Sequence, residues 1–175
     1  MNCINVLDLL GFNYKHKDYY DFPERKDINI NDQEVFFFGS KFSERKNMTL
    51  SDELMILQRA IACFNGKKVF YIPHRDEKEE KLVEIVKLGY EIKKLGKPAE
   101  IFFDETNVMP GFVVSYFSTT LYTCSLRYAN VHVFFVNVVD FLLKDNSKIS
   151  AKEIYSYYKR IGISELEILN IENKL

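Results

Sequence analysis

The groups best suited to chemistry in this sequence are His74 and Arg75, which follow an apolar run and a proline in V-F-Y-I-P-H-R-D-E-K, residues 69–78. Only histidine changes charge near neutral pH without a large environmental shift, so His74 reads as a general acid or a phosphate ligand. A guanidinium beside it matches phosphate geometry. The ordinary alternatives are an exposed loop histidine and a surface Arg75 pairing with Glu79 along a helix. Ser118-Thr119-Thr120 stands where an apolar run meets a helical pattern. Hydroxyls and free peptide N–H groups there suit an anion, although plain N-capping uses the same residue types. Glu100, two residues after Pro98, is placed to accept hydrogen bonds from a ribose diol or simply to be exposed. Asp52, with Glu53 second, is the candidate carboxylate base; both also suit a first helical turn, where the dipole favours acids. His16 and His132 have no partners in sequence, and His132, inside an apolar run, reads as a buried strand residue.

The elements that must position these groups alternate in type. Residues 34–38, 69–72, 101–103, 112–115 and 131–136 are short apolar runs of the kind buried in a parallel sheet, with 91–95 a short edge strand. The first run leaves the sheet at Gly39-Ser40, and Pro110-Gly111 reads as a turn. Helical spacing of Leu54, Leu57, Ile61 and Phe64 predicts a helix capped by Ser51 and stopped at Asn65-Gly66. Residues 76–88 form a second helix with Leu82, Ile85 and Val86 inward, and residues 121–128 a third. Residues 104–109 read as loop or one helical turn, 137–143 as helical, and Ser150 as the cap of a helix bearing Ile154, Tyr157, Tyr158 and Ile161. Residues 163–175 read as a short final helix or strand. The alternation predicts an α/β fold, a Rossmann-like parallel sheet flanked by helices. Residues 34–175 form that domain; residues 1–33, which include Pro23 and lack a period, form an arm or the remnant of a preceding domain.

Composition narrows the class. The chain has 175 residues, enough for one domain with a real core. Lys plus Arg number 24 against 25 Asp plus Glu, so no basic stripe argues for nucleic acid. Three widely spaced cysteines, Cys3, Cys63 and Cys124, build neither a zinc site nor a disulfide framework and suggest a reducing compartment. The start has no basic n-region, and the longest apolar stretch, residues 131–143, is interrupted by Asn137 and Asp140. A cytoplasmic protein is expected. No G-x-G-x-x-G or Walker sequence is present, which argues against a dinucleotide fold of the usual type and a P-loop ATPase.

The segments Y-I-P-H-R-D-E-K-E-E-K-L, K-P-A-E and F-V-V-S-Y-F-S-T-T-L together resemble the bacterial α-2,8-polysialyltransferase-type family and the related lipooligosaccharide sialyltransferases. The resemblance covers roughly residues 34–143. It implies the donor-binding, C-terminal half of a GT-B glycosyltransferase that takes sialic acid from CMP-sialic acid without a metal or other cofactor. The acceptor would be a cell-surface glycan of capsule or lipooligosaccharide. His74 matches the histidine of the family's His-Pro motif, implied to contact the donor phosphate and protonate it as CMP leaves; Arg75 replaces the proline. Ser118 and Thr119 match the paired hydroxyls on the same phosphate, with Thr120 adjoining, and Glu100 matches a glutamate expected on the cytidine ribose. Gly39, at the first strand exit, joins this donor-binding set. Acceptor activation needs a carboxylate. The family's acidic triplet has no clear counterpart here, so Asp52 takes that role by position. A complete GT-B enzyme is about twice a single domain. The chain therefore reads as one half plus an arm: a truncated form, a short protein completed by a homodimer, or a degenerate product. Peripheral inner-membrane association through a partner is compatible with this. The alternative is a non-catalytic CMP-binding or assembly module derived from such an enzyme.

Overall fold

The structure, a computed structural model, describes residues 24, 25 and 27–168. The expectations for Cys3, His16, most of the N-terminal arm and residues 169–175 lie outside the described residues. Among the described residues six strands form one parallel sheet: β1 Asn29–Phe38, β2 Lys68–Ile72, β3 Glu91–Ile92, β4 Val108–Ser115, β5 His132–Phe135 and β6 Ser164–Glu165. Five helices connect them: α1 Leu50–Ala62, α2 Glu79–Lys87, α3 Ala99–Thr106, α4 Thr119–Arg127 and α5 Asp145–Arg160. The spatial order is β3-β2-β1-β4-β5-β6. The expected α/β Rossmann-like class is what the chain adopts, and the order reverses direction between β1 and β4.

Central strands need apolar residues on both faces, and Val35, Phe36, Phe37 and Phe38 of β1 are all buried. Alternation sends Phe36 and Phe37 to opposite sides. Phe37 lies among Tyr71, Tyr90 and Tyr116, with ring centroids 6.0, 6.0 and 5.2 Å away, on the side covered by α1 and α2. Tyr90 ties that side together by donating its hydroxyl to the Leu57 carbonyl of α1 at 2.8 Å. Phe36 faces Phe103 of α3 at 6.0 Å, and Phe135 on β5 stacks against Tyr155 of α5 at 4.7 Å.

Several local expectations are corrected. Residues 101–103 are helical, inside α3, with Ala99 and Phe103 buried four residues apart. A three-residue apolar run has no period of its own, and Pro98 at the N-cap starts a helix here. Pro110-Gly111 is not a turn but part of β4, beside a register shift against β1 between Asn31 and Val35. Proline has no N–H for the ladder, and a side chain on Gly111 would stand 2.6 Å from the Asp32 Cα, so the irregularity needs both residues. β1 begins at Asn29, five residues before the expected start, so the 33/34 boundary falls inside a strand.

Helix starts moved as well. Thr49, not Ser51, caps α1: its Oγ1 accepts the Asp52 N–H at 3.1 Å. α2 starts at Glu79 because residues 74–77 close a turn, the Glu77 N–H donating to the His74 carbonyl at 3.0 Å. Ser150 is interior to α5, which starts at Asp145, and the helix expected over 137–143 is one 3-10 turn, Val139–Phe141. Val86, expected inward, is 51% exposed. His132 is exposed and stacks on Phe112 at 5.1 Å. No helix among the described residues is long and apolar enough to cross a membrane.

Candidate functional site

Three adjacent strands deliver the candidate residues to one edge. The chain leaves β2 at Ile72, leaves β1 at Gly39 and leaves β4 at Tyr116, all at the carboxyl ends of the sheet. Two strand spacings, about 10 Å, separate β2 from β4 across β1. Ligands of open parallel sheets bind at this edge, where the strand order reverses. Ser115 locks the reversal point by donating its hydroxyl to the Phe38 carbonyl at 2.9 Å.

His74 sits on the turn after Pro73, its side chain 38% exposed. Its Nδ1 accepts the Asp76 N–H at 3.3 Å, which assigns the proton of the neutral ring to Nε2. Partial burial and the nearby Lys41 ammonium lower its pKa below the usual histidine value, against the opposing pull of Asp76 and Glu77. Lys41 comes from the β1–α1 loop and pairs with Asp76. That contact also holds the Asp76 carboxyl below its ordinary range. Arg75 is 88% exposed and leans toward Asp76 at 3.7 Å. Glu79, its partner in the ordinary alternative, is instead paired with Lys94 at 2.8 Å. Three groups able to carry positive charge therefore ring one acidic residue above the ends of β1 and β2.

Below this rim lies a buried cluster. Lys81 of α2 reaches Glu53 of α1 at 2.5 Å, Glu77 at 2.7 Å and Glu44 at 3.4 Å. Tyr71 of β2 donates its hydroxyl to Glu77 at 2.7 Å. Burial raises the Glu53 pKa despite Lys81. For Lys81, burial is outweighed by Glu53 and Glu77, and its pKa rises.

Across β1, Ser118 is the N-cap of α4, its Oγ accepting the Thr120 N–H at 3.2 Å. The Ser118 N–H donates to the Tyr158 hydroxyl at 3.1 Å, and that hydroxyl donates back to the Ser118 carbonyl at 2.8 Å. Ser118 thus acts as a cap, Thr120 is buried, and Thr119 presents its side chain to solvent at the helix start.

The chain matches no protein-family model and no curated protein. The site therefore rests on its own geometry. That geometry brings together His74, Arg75, Gly39 and the α4 N-terminus on adjacent strand ends. It does not join Glu100 to them by any hydrogen bond or ion pair among the described residues. Glu100 lies in the first turn of α3, where its charge helps burial push the Cys124 thiol of α4 upward. Asp52 is engaged locally, accepting the Thr49 hydroxyl at 2.6 Å, and Glu53 is buried against Lys81. Gly39 faces inward: a side chain there would strike the Tyr71 hydroxyl, so the glycine serves packing beneath the site. Phe42, from the β1–α1 loop, packs on Tyr116 at 5.0 Å and Phe117 at 5.2 Å and occupies the ground above β1 and β4. A cavity of about 310 Å³ lies to one side, between the end of β5 and α5, lined by Asn137, Asp140, Lys152 and Lys159. Among the described residues no group of three His, Cys, Asp or Glu is placed to hold a metal ion.

Lys41, Glu44, Asp76, Glu77 and Lys81 were not singled out from sequence. Of these only Lys81 carried a signal, in combination with Glu53, already a candidate base. Glu53 falls in step with the buried Ile56, Leu57 and Ala60, and Lys81 with Leu82 and Ile85. Opposite charges on the apolar stripes of successive helices point to a buried pair.

Proposed function

We propose that the carboxyl edge of the sheet binds CMP-sialic acid and that the chain is the donor-binding part of a sialyltransferase-like glycosyltransferase acting on a cell-surface glycan. The observation that carries this is His74, with Nδ1 accepting the Asp76 N–H and Nε2 left to face a ligand, set beside Lys41 and Arg75 at the carboxyl ends of β2 and β1, the second of which borders the reversal point. Departure of CMP leaves negative charge on phosphate. Bound phosphate favours the charged form of His74, and that imidazolium passes its Nε2 proton to the leaving oxygen and returns to the neutral ring, while Lys41 and Arg75 offset the charge and the α4 N-terminus with Thr119 adds oriented N–H dipoles. A cytidine base entering above β1 displaces Phe42.

A second reading, a CMP-binding module without transfer activity, is favoured by one observation. Both carboxylates nominated as base are engaged, Asp52 with Thr49 and Glu53 with Lys81. The test is thermal unfolding with CMP, followed by transfer from CMP-sialic acid to a glycan acceptor. At 100 times Kd, a ligand of the folded state adds about 2.7 kcal/mol, a rise in Tm of roughly 5–10 °C at this chain length. His74→Ala is expected to abolish transfer while melting close to wild type. CMP stabilisation without turnover selects the second reading. No stabilisation at millimolar CMP refutes both.

A further inference from the structure

The buried cluster below the rim has a connectivity that a plain ion pair lacks. The Lys81 ammonium has three protons and lies within reach of four acceptors: Glu53 at 2.5 Å, Glu77 at 2.7 Å, the Ser40 carbonyl at 2.7 Å and Glu44 at 3.4 Å. Each carboxylate passes the contact on to a peptide N–H. Glu53 accepts from Ser43 at 3.2 Å, Glu77 from His74 at 2.5 Å and Glu44 from Lys78 at 3.3 Å. One ammonium therefore governs the main chain of two loops: Ser40–Glu44 after β1 and His74–Lys78 after β2. These loops carry Lys41, Phe42, His74 and Arg75.

Stability alone is a weak reason for such a cluster, because apolar residues of similar volume usually replace a buried ion pair without loss. Lys81 is 3% exposed, and the Glu53 and Glu77 side chains are fully buried. Removing the ammonium would strand carboxylates where water cannot reach them. We infer that Lys81 is the positioning residue of the carboxyl-edge site, holding the His74 peptide and the Ser40–Glu44 loop as one unit through Glu77, Glu53 and Glu44. The ligand arm of this inference rests on the CMP reading above; the main-chain arm does not.

The groups facing the cluster come from every element around it. They are Glu53 from α1, Lys81 from α2, Glu77 from the turn before α2, Glu44 from the β1–α1 loop, Tyr71 from β2, and Tyr116 just after β4, whose buried hydroxyl feels Glu53 and Glu77. Lys41 and Asp76 lie on the rim. With Lys81 gone, the freed glutamates are neutralised only by taking up protons, so a defect in positioning recedes as pH falls.

The experiment compares wild type, Lys81→Met and Lys81→Met/Glu53→Gln, the last lowering the stranded charge so that a folded variant is available. Amide hydrogen exchange at pH 7 is read at Ser43, His74 and Lys78 without ligand. CMP affinity is read at pH 6 and pH 8. Loss of a charge-assisted hydrogen bond should speed exchange at these amides by about tenfold or more, with the β1 core amides of residues 35–38 unchanged. CMP affinity of Lys81→Met should fall about tenfold at pH 8 and recover by pH 6. Wild-type exchange at Ser43 and His74 in a folded variant overturns the inference, as does an affinity loss that is equal at both pH values. If the wild type itself does not bind CMP, the proposed function falls, and the exchange data alone decide the role of Lys81.

Discussion

Gly39→Ala gives the sharpest test of how the site is built. An added methyl would stand 2.2 Å from the Tyr71 hydroxyl oxygen, 2.4 Å from its ring carbon Cζ and 2.7 Å from a Glu77 carboxylate oxygen. Tyr71 has no room to withdraw: it is fully buried, stacked against Phe37 at 6.0 Å and edge-on to Tyr90 at 5.9 Å. Its hydroxyl is also held by Glu77 at 2.7 Å. Overpacking costs about 1–3 kcal/mol, and disrupting a hydrogen bond to a charged group costs about 1.5–3 kcal/mol. The two together predict a loss of about 2.5–6 kcal/mol, read from the urea midpoint at unchanged slope. Gly66→Ala is the control. Gly66 has φ +80° with nothing within 4 Å of an added methyl, so only backbone strain of about 1–2 kcal/mol applies. A Gly39→Ala protein that unfolds within about 1 kcal/mol of wild type would refute the packing argument and return Gly39 to the ligand.

Tyr116→Phe should be neutral or stabilise by up to about 1 kcal/mol, because its buried hydroxyl has no hydrogen-bond partner among the described residues; a clear loss in the same urea assay would contradict that. Ser118→Ala removes the α4 cap and should cost about 1 kcal/mol, whereas Thr119→Ala should stay within about 0.5 kcal/mol yet weaken CMP binding in calorimetry. The reverse pattern would exchange their roles. His74 binds its proton less tightly in the folded protein than in the unfolded chain, so its contribution favours folding above pH 6.5 and is lost as pH falls through the folded value. A bound phosphate reverses that preference, so CMP affinity should rise from about pH 8 to about pH 6 and the rise should vanish in His74→Gln; a flat wild-type profile would remove His74 from the phosphate.

The parallel sheet was legible because its strands are apolar and bounded by turn residues. The runs at 34–38, 69–72, 112–115 and 131–136 need no tertiary information to be recognised as strands. Residues 101–103 failed because three apolar residues fit either structure, and Pro98 tips them to helix. Pro110-Gly111 failed because a proline within a strand is tolerated only at an irregularity, which is a property of two strands together. His74, Arg75 and Thr119 are where strand-end reasoning placed them. Ser118 has the ordinary role of a cap, and Glu100 lies on α3, away from any described interaction with His74.

The sequence by itself determined the layer architecture, the location of His74 beyond a strand end and the presence of hydroxyls at the start of α4. Each of these follows from local period, turn chemistry and the neighbours along the chain. Tertiary structure alone decided that Lys81 gathers Glu44, Glu53 and Glu77, that Lys41 reaches Asp76, and that Gly39 makes room for Tyr71. The partners in the first of these are up to 37 residues apart and the second pair 35. The physical reason is that the strand order β3-β2-β1-β4 sets the ends of β1 and β2 side by side, so that a buried charge on α2 is offset by groups that the loop after β1, α1 and the turn after β2 bring to it.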